Sequence, residues 1–389
     1  MGCTNCRRPG RRILRVDPKG QREMAGYMKF SAVLFHPFVL LSVVLTTATI
    51  VRQTVVPLPA TPLEPIAAIL DAFRSHRIVA LDNVEFYGNE QSHAFRLSLV
   101  SNPKFAATVN DIVVEFGNSR YQEIMDRFVR GEEIPYASLR QVWQNTTQPD
   151  TLWDVPIYEE FFRAVRNVNA SLPRQRQLRV LLGDPPIDWD AVEATGEHGR
   201  WDRDGHPADL IQREVIAKGH RALVFYGDFH FIRKNPMANA AGDRARSLVS
   251  LLEAAGTKVF TIHTETQIGL DTLQPGIASW PKPSLALLRG TILGVTDFSS
   301  YYRLPLMIGR DGKPLPDQRR PLRMEEQFDA ILYLGPLSTL TNSQLAPSLC
   351  SDENYMNMRL RRMARLPAPP GAHNPVDSLK KYCATILSK

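Results

Sequence analysis

Ala222-Leu-Val-Phe-Tyr226, followed at once by Gly227-Asp228-Phe229-His230, is the stretch that decides how this chain is read. An unbroken apolar run has no face to give to water, so it predicts a strand covered on both sides, as in a parallel sheet flanked by helices. Comparable runs occur at 77–81, 111–115, 178–182, 258–262 and 329–334. Between them apolar residues recur at helical spacing: Ile66, Ile69, Leu70 and Phe73; Ile157, Phe161, Phe162 and Val165; Leu210, Ile211, Val215 and Ile216; Leu248, Leu251 and Leu252. The alternation predicts an α/β fold, a largely parallel sheet with helices on both faces. Residues from about 121 to 170 are too many for one crossover and predict a helical insertion over one end of the sheet. The stretch 280–389 is Pro-rich and reads as irregular, with a basic helix over 353–366.

The composition, 389 residues with 43% hydrophobic and 22% charged, is that of an ordinary globular protein. Nearly all of the +7 net charge sits in a basic N-terminal extension over 1–29, where Arg7, Arg8, Arg11, Arg12, Arg15, Lys19, Arg22 and Lys29 face only Asp17 and Glu23. The remainder is close to neutral, which excludes a basic groove for nucleic acid. Residues 30–51 carry no charged side chain and lie between Lys29 and Arg52. At about 1.5 Å per residue such a stretch spans roughly 30 Å of hydrocarbon. It predicts a signal peptide or membrane anchor, which places the rest in the periplasm or outside the cell, held at the inner membrane if the segment is uncleaved. Pro57, Pro59, Pro62 and Pro65 predict a stiff spacer over 52–64, leaving a single α/β domain over 65–389. Of the four cysteines only Cys350 and Cys383 fall in that exported domain, and a disulfide between them is the simplest accounting.

Open parallel sheets bind ligands outside the carboxyl ends of their strands. Those positions here are Asp82, Glu85, Tyr87 and Glu90; Glu115, Asn118 and Arg120; Asp184 and Asp188; Asp228 and His230; and His263. Carboxylates and imidazoles gathered in one crevice suit two jobs: holding a divalent cation, Mn or Zn, over a water, or acting directly as general base. A third role, capping the helices that follow, needs no chemistry. No Gly-x-Ser-x-Gly elbow, Walker loop, Gly-x-Gly-x-x-Gly or His-Glu-x-x-His is present. The polar loop with Glu197, His198, Asp202, Asp204 and His206 reads as solvated.

Two segments share a layout, an apolar strand and then a four-residue turn: Leu81-Asp82-Asn83-Val84-Glu85 and Tyr226-Gly227-Asp228-Phe229-His230. Together they resemble the paired Gly-x-x-His motifs of the superfamily that contains erythromycin esterase-like hydrolases, ChaN-like haem-uptake proteins and Tiki/TraB-type metalloproteases. Leu81, Gly88, Glu90 and the strand ending Val113-Val114-Glu115 match the first motif and the strand after it, and Gly227 to His230 match the second in full. Where the family has Gly and a catalytic His in the first motif, this chain has Asp82 and either Glu85 or Tyr87. The resemblance implies a hydrolase that cleaves an ester or amide with an activated water, using Glu85, Glu90, Glu115, Asp184, Asp228 and His230. Tyr87, Arg96, Asn118, Arg120, Asp188 and His263 would then bind a small-molecule substrate, and Glu85, Glu115 and His230 are the candidate metal ligands. The alternative is a non-catalytic binder or pseudoenzyme on the same fold, with haem held by Tyr87, Tyr226 or His230.

Overall fold

Seven strands form one sheet: β1 (Ile78–Asp82), β2 (Asp111–Asn118), β3 (Arg179–Asp184), β4 (Ala222–Tyr226), β5 (Val259–Thr264), β6 (Ser284–Leu287) and β7 (Ala330–Tyr333). Their spatial order is β3-β2-β4-β1-β5-β7-β6, parallel throughout except for β6 against β7. This computed structural model describes residues 56–82, 88–196, 201–237, 242–266, 268–302, 319–365 and 375–388. Two units are distinguished, Met1–Thr54 and Val55–Lys389. The first, with the basic extension and the 30–51 segment, lies outside the described residues, among which no helix is long and apolar enough to cross a membrane.

The predicted α/β architecture is present, and each of the six apolar runs is a strand. Every residue of β1, β2 and β4 is buried. The chain steps one way from β1 to β2 to β3, then returns through β4 to β5, so right-handed crossovers put the intervening helices on opposite faces. One face meets Pro65–Ala72, Glu90–Ser101 and Pro156–Ala170, with Val79, Val114 and Phe225 packed against Leu99, Phe161 and Phe162. The other meets Gly205–Ile211 and Leu248–Ala254, with Ala80, Val113 and Val224 against Ile211 and Leu252. Each fully buried Phe or Leu contributes about 1.5–3 kcal/mol by leaving water.

Three expectations need correction. The 121–170 segment is helical as expected, but its longest helix, Pro156–Ala170, covers a face of the sheet and stacks Phe161 and Phe162 around Phe116. The 280–389 stretch is not irregular: it supplies β6, β7 and the helices Glu353–Met363 and Pro375–Leu387, and a disulfide joins Cys350 to Cys383. The Pro-rich stretch is no free spacer either. Leu63 forms an antiparallel bridge with Leu285 of β6, the Leu58 N–H donates to Gly290 O (3.0 Å), and Ala60 is buried, donating to Gln274 Oε1 (2.7 Å).

Candidate active site

Alternation along the strands selects which residues meet. Side chains two apart share a face, so Asp82 follows Ile78 and Ala80, Glu115 follows Val113, Tyr226 follows Val224, and His263 follows Val259 and Thr261. All four emerge on the face covered by Gly205–Ile211 and Leu248–Ala254, at the carboxyl end of the sheet. Asp82 stands level with Tyr226 in the β1–β4 pairing.

One cluster centres on His263. Its Nδ1 lies 2.7 Å from Asp82 Oδ2, 3.7 Å from Asp228 Oδ2 and 2.9 Å from the Tyr302 hydroxyl, while Nε2 lies 3.2 Å from the Tyr301 hydroxyl. The Thr264 N–H donates to Asp82 Oδ2 (2.8 Å), and Phe328 stacks on the imidazole, centroids 5.1 Å apart. Asp82, Asp228 and His263 are all buried. Burial alone would lower His263, but the charges of Asp82 and Asp228 hold it above its ordinary value. Asp228 is pushed up to about 6, chiefly by burial and then by Asp82, against the pull of His263. Asp82 Oδ1 and Asp228 Oδ1 have no hydrogen-bond partner among the described residues.

The second cluster centres on Glu115, which is 4% exposed. It accepts from Arg203 Nη2 and from the Gly227 N–H (2.8 Å), and His230 Nε2 lies 3.5 Å away. Burial would raise this carboxyl, yet Arg203, His230 and the Gly227 amide together hold it at about 2. His230 Nδ1 pairs with Asp204 Oδ1 (2.7 Å). Against the cost of burial, Asp204 and Glu115 raise the imidazole to about 10, so it is a cation at neutral pH. Asp204 Oδ1 also accepts from the Leu248 N–H (2.7 Å). Next to this group Asp184 accepts from the Thr147 N–H (2.7 Å) and hydroxyl (2.5 Å), and Arg203 Nε stands 4.0 Å from it. Burial pushes Asp184 up to about 7.

The structure therefore brings Glu115, Asp184, Asp228, His230 and His263 to one rim. Glu85 and Tyr87 lie outside the described residues. Glu90 is exposed at the first turn of Glu90–Ser101, where it accepts from Thr341 Oγ1 (2.7 Å), and belongs to neither cluster. Arg96 is fully buried, its guanidinium 5.6 Å from the Phe225 ring centroid. Asn118 does structural work: its Nδ2 donates to Asn145 O (2.6 Å) and Ile187 O (3.0 Å). Asp188 accepts from Arg120 (2.8 Å) and from the Ala191 N–H as a helix cap (3.2 Å).

Several members of the site were given no role by the sequence. Asp82 obeys the strand-end rule and was visible as a departure from the motif. Arg203 and Asp204 come from the loop read as solvated, which is instead pinned by Asp202 to Arg246 (3.0 Å) and to the Gly205 N–H (2.8 Å). Thr147, Tyr301 and Tyr302 carry no signal in sequence spacing.

A fit to each cofactor can be judged from these contacts. Glu115 and His230 do not suit a metal cation, because Arg203 and the imidazolium already neutralise the carboxylate. Asp82, Asp228 and His263 each offer a ligand atom, all within 4.8 Å of one another. Tyr226 does not suit haem as a ligand: its hydroxyl is shut in against Gly183, where any Cβ would collide with it, and burial pushes that phenol well above its ordinary range.

No protein-family model and no curated protein matches the sequence. Solved structures are similar at low identity. A succinoglycan biosynthesis protein is 12% identical (TM-score 0.45), over 74% of this chain and 96% of that one. A mutant of erythromycin esterase EreC in its open conformation is 11% identical (TM-score 0.39; 72% and 94%). ChaN of Campylobacter jejuni, with cofacial haem, is 11% identical (TM-score 0.34; 52% and 86%). The likeness concerns fold alone, and erythromycin esterase and ChaN, named above from the two motifs, are among these structural neighbours.

Proposed function

We propose that the chain is a hydrolase acting outside the cytoplasm, one that cleaves an ester or amide of a small-molecule substrate with an activated water. The observation that carries this reading is the divergence of buried carboxyls along one rim: Glu115 held at about 2, Asp228 pushed to about 6 and Asp184 to about 7. Carboxyls driven apart in this way divide ionised and proton-exchanging work between them. Asp228, near neutrality and with a buried oxygen that has no partner among the described residues, takes the proton of the attacking water. Arg203 and His230, the cations paired with Glu115 on the same rim, offset the charge that develops on the carbonyl oxygen. Glu115 holds both cations in place and does not itself react.

The test is a panel of esters and amides offered to the purified full chain. Asp228→Asn is expected to lower kcat by about 10²–10⁴-fold, and Arg203→Met by about 10²–10³-fold, with far-UV circular dichroism unchanged. Hydrolysis that survives Asp228→Asn at full rate overturns the assignment. Export is tested separately by a C-terminal reporter that is active only outside the cytoplasm, and an inactive reporter removes that part of the reading.

A further inference from the structure

Asp82, Asp228 and His263 are arranged more like ligands than like a self-sufficient ion pair. A shared proton needs one short contact, and the Asp82–His263 pair already has it at 2.7 Å. The arrangement then leaves Asp82 Oδ1 and Asp228 Oδ1 buried with no partner among the described residues. Leaving such an oxygen dry costs about 1–3 kcal/mol, more for an ionised group. The other oxygens of the same two carboxylates, Asp82 Oδ2 and Asp228 Oδ2, face His263 Nδ1 at 2.7 and 3.7 Å, so two buried carboxylates and one imidazole mark a place where positive charge belongs.

The spacing suits a small cation. Ligand atoms about 2.0–2.1 Å from one ion stand about 3.0–3.4 Å apart, and Nδ1 of His263 is 2.7 and 3.7 Å from the two carboxylates. The surroundings match as well. Metal-bound imidazoles donate their other N–H to a fixed acceptor, and Nε2 of His263 faces the Tyr301 hydroxyl at 3.2 Å. The Thr264 amide fixes Asp82, Tyr302 hydrogen-bonds Asp228, and Phe328 stacks on the ring. The Tyr302 hydroxyl also reaches His263 Nδ1 (2.9 Å), a contact that an ion at Nδ1 would replace.

We infer that Asp82, Asp228 and His263 form a site for one divalent transition-metal ion of the class that accepts mixed oxygen and nitrogen donors, such as Zn²⁺, Mn²⁺ or Co²⁺. Three protein ligands leave coordination positions open, the pattern of catalytic rather than structural sites. The inference rests on the hydrolase reading and revises one role in it: a bound ion would lower the pKa of a water, so Asp228 serves as a ligand and no longer as the proton acceptor named above.

The test is binding, separate from turnover. Full-length protein stripped with chelator is titrated with Co²⁺, followed by visible absorption, and metal content is measured after gel filtration from Zn²⁺ or Mn²⁺. One equivalent is expected, with ligand-field bands that Asp228→Asn and His263→Gln abolish. Tyr301→Phe keeps every ligand and loosens only the imidazole, so it is expected to weaken binding by about 10–100-fold even if the ligand variants fail to fold. No stoichiometric binding, or binding unchanged in Tyr301→Phe and in whichever ligand variants fold, overturns the site. Stoichiometric metal without hydrolysis removes the hydrolase reading and leaves the ion site standing, whereas hydrolysis by metal-free protein with no binding does the reverse.

Discussion

Replacing Glu115 by Gln tests the electrostatic centre of the rim. The carboxylate is buried, and Arg203, His230 and the Gly227 amide hold it at about 2 against an ordinary 4.5. At 1.36 kcal/mol per pKa unit this is worth about 3 kcal/mol at neutral pH. His230, raised to about 10, reports the same pair from the other side but also includes Asp204, so the smaller figure is the one to use. A depressed carboxyl stabilises the fold above its unfolded pKa, and that contribution is lost as pH falls through the folded value. Wild type should therefore exceed Glu115→Gln by about 3 kcal/mol at pH 7 and by about 1 kcal/mol at pH 3. Urea denaturation of both proteins at the two pH values measures the difference. A gap below about 1 kcal/mol at pH 7, or one that does not shrink in acid, would show that Glu115 is not the anchor of the two cations.

Other consequences follow from the same contacts. Asp184, raised to about 7, is ionised at a cost to the fold above that pH; Asp184→Asn should be at least as stable as wild type at pH 8, and a loss above about 2 kcal/mol would contradict this. Arg359→Ala strands the buried Asp154 carboxylate and should cost about 3–5 kcal/mol in chemical denaturation. Opening the Cys350–Cys383 bridge, which spans 33 residues, should lower stability by about 4 kcal/mol, seen as a shift in melting between oxidised protein and the double Cys→Ser variant.

The fold was legible because burial on two faces leaves its mark in composition: no polar residue interrupts 222–226, and the structure puts all of β4 in the interior. β6 escaped because its four residues, Ser284–Leu287, are too few to show a period, and its antiparallel direction is set by β7 alone. The site was half legible. Strand ends gave Glu115, Asp184, Asp228 and His263, since a parallel sheet aligns every carboxyl end on one side. Arg203 and Asp204 were not, because a loop rich in charge looks the same whether its side chains face solvent or a buried partner. Here the partners are Glu115 and His230, far away in the chain. Thr147 is a further case: it supports Asp184 through a loop that Arg359 and Trp189 grip by its carbonyls, at Gln144 O (2.7 Å) and Thr146 O (2.9 Å), a relation that exists only after folding.

The sheet ends on one side at β6, whose outer backbone would otherwise invite a strand from another molecule. Leu63 occupies that border at a single point, opposite Leu285, and Pro62 and Pro65 on either side of it cannot donate the amides that a growing ladder requires. The prolines thus act as a selvedge, finishing the fabric so that it neither frays nor takes another row. Processing that trimmed the chain back to residue 65 would strip this binding, and self-association through the bared margin would be its signature.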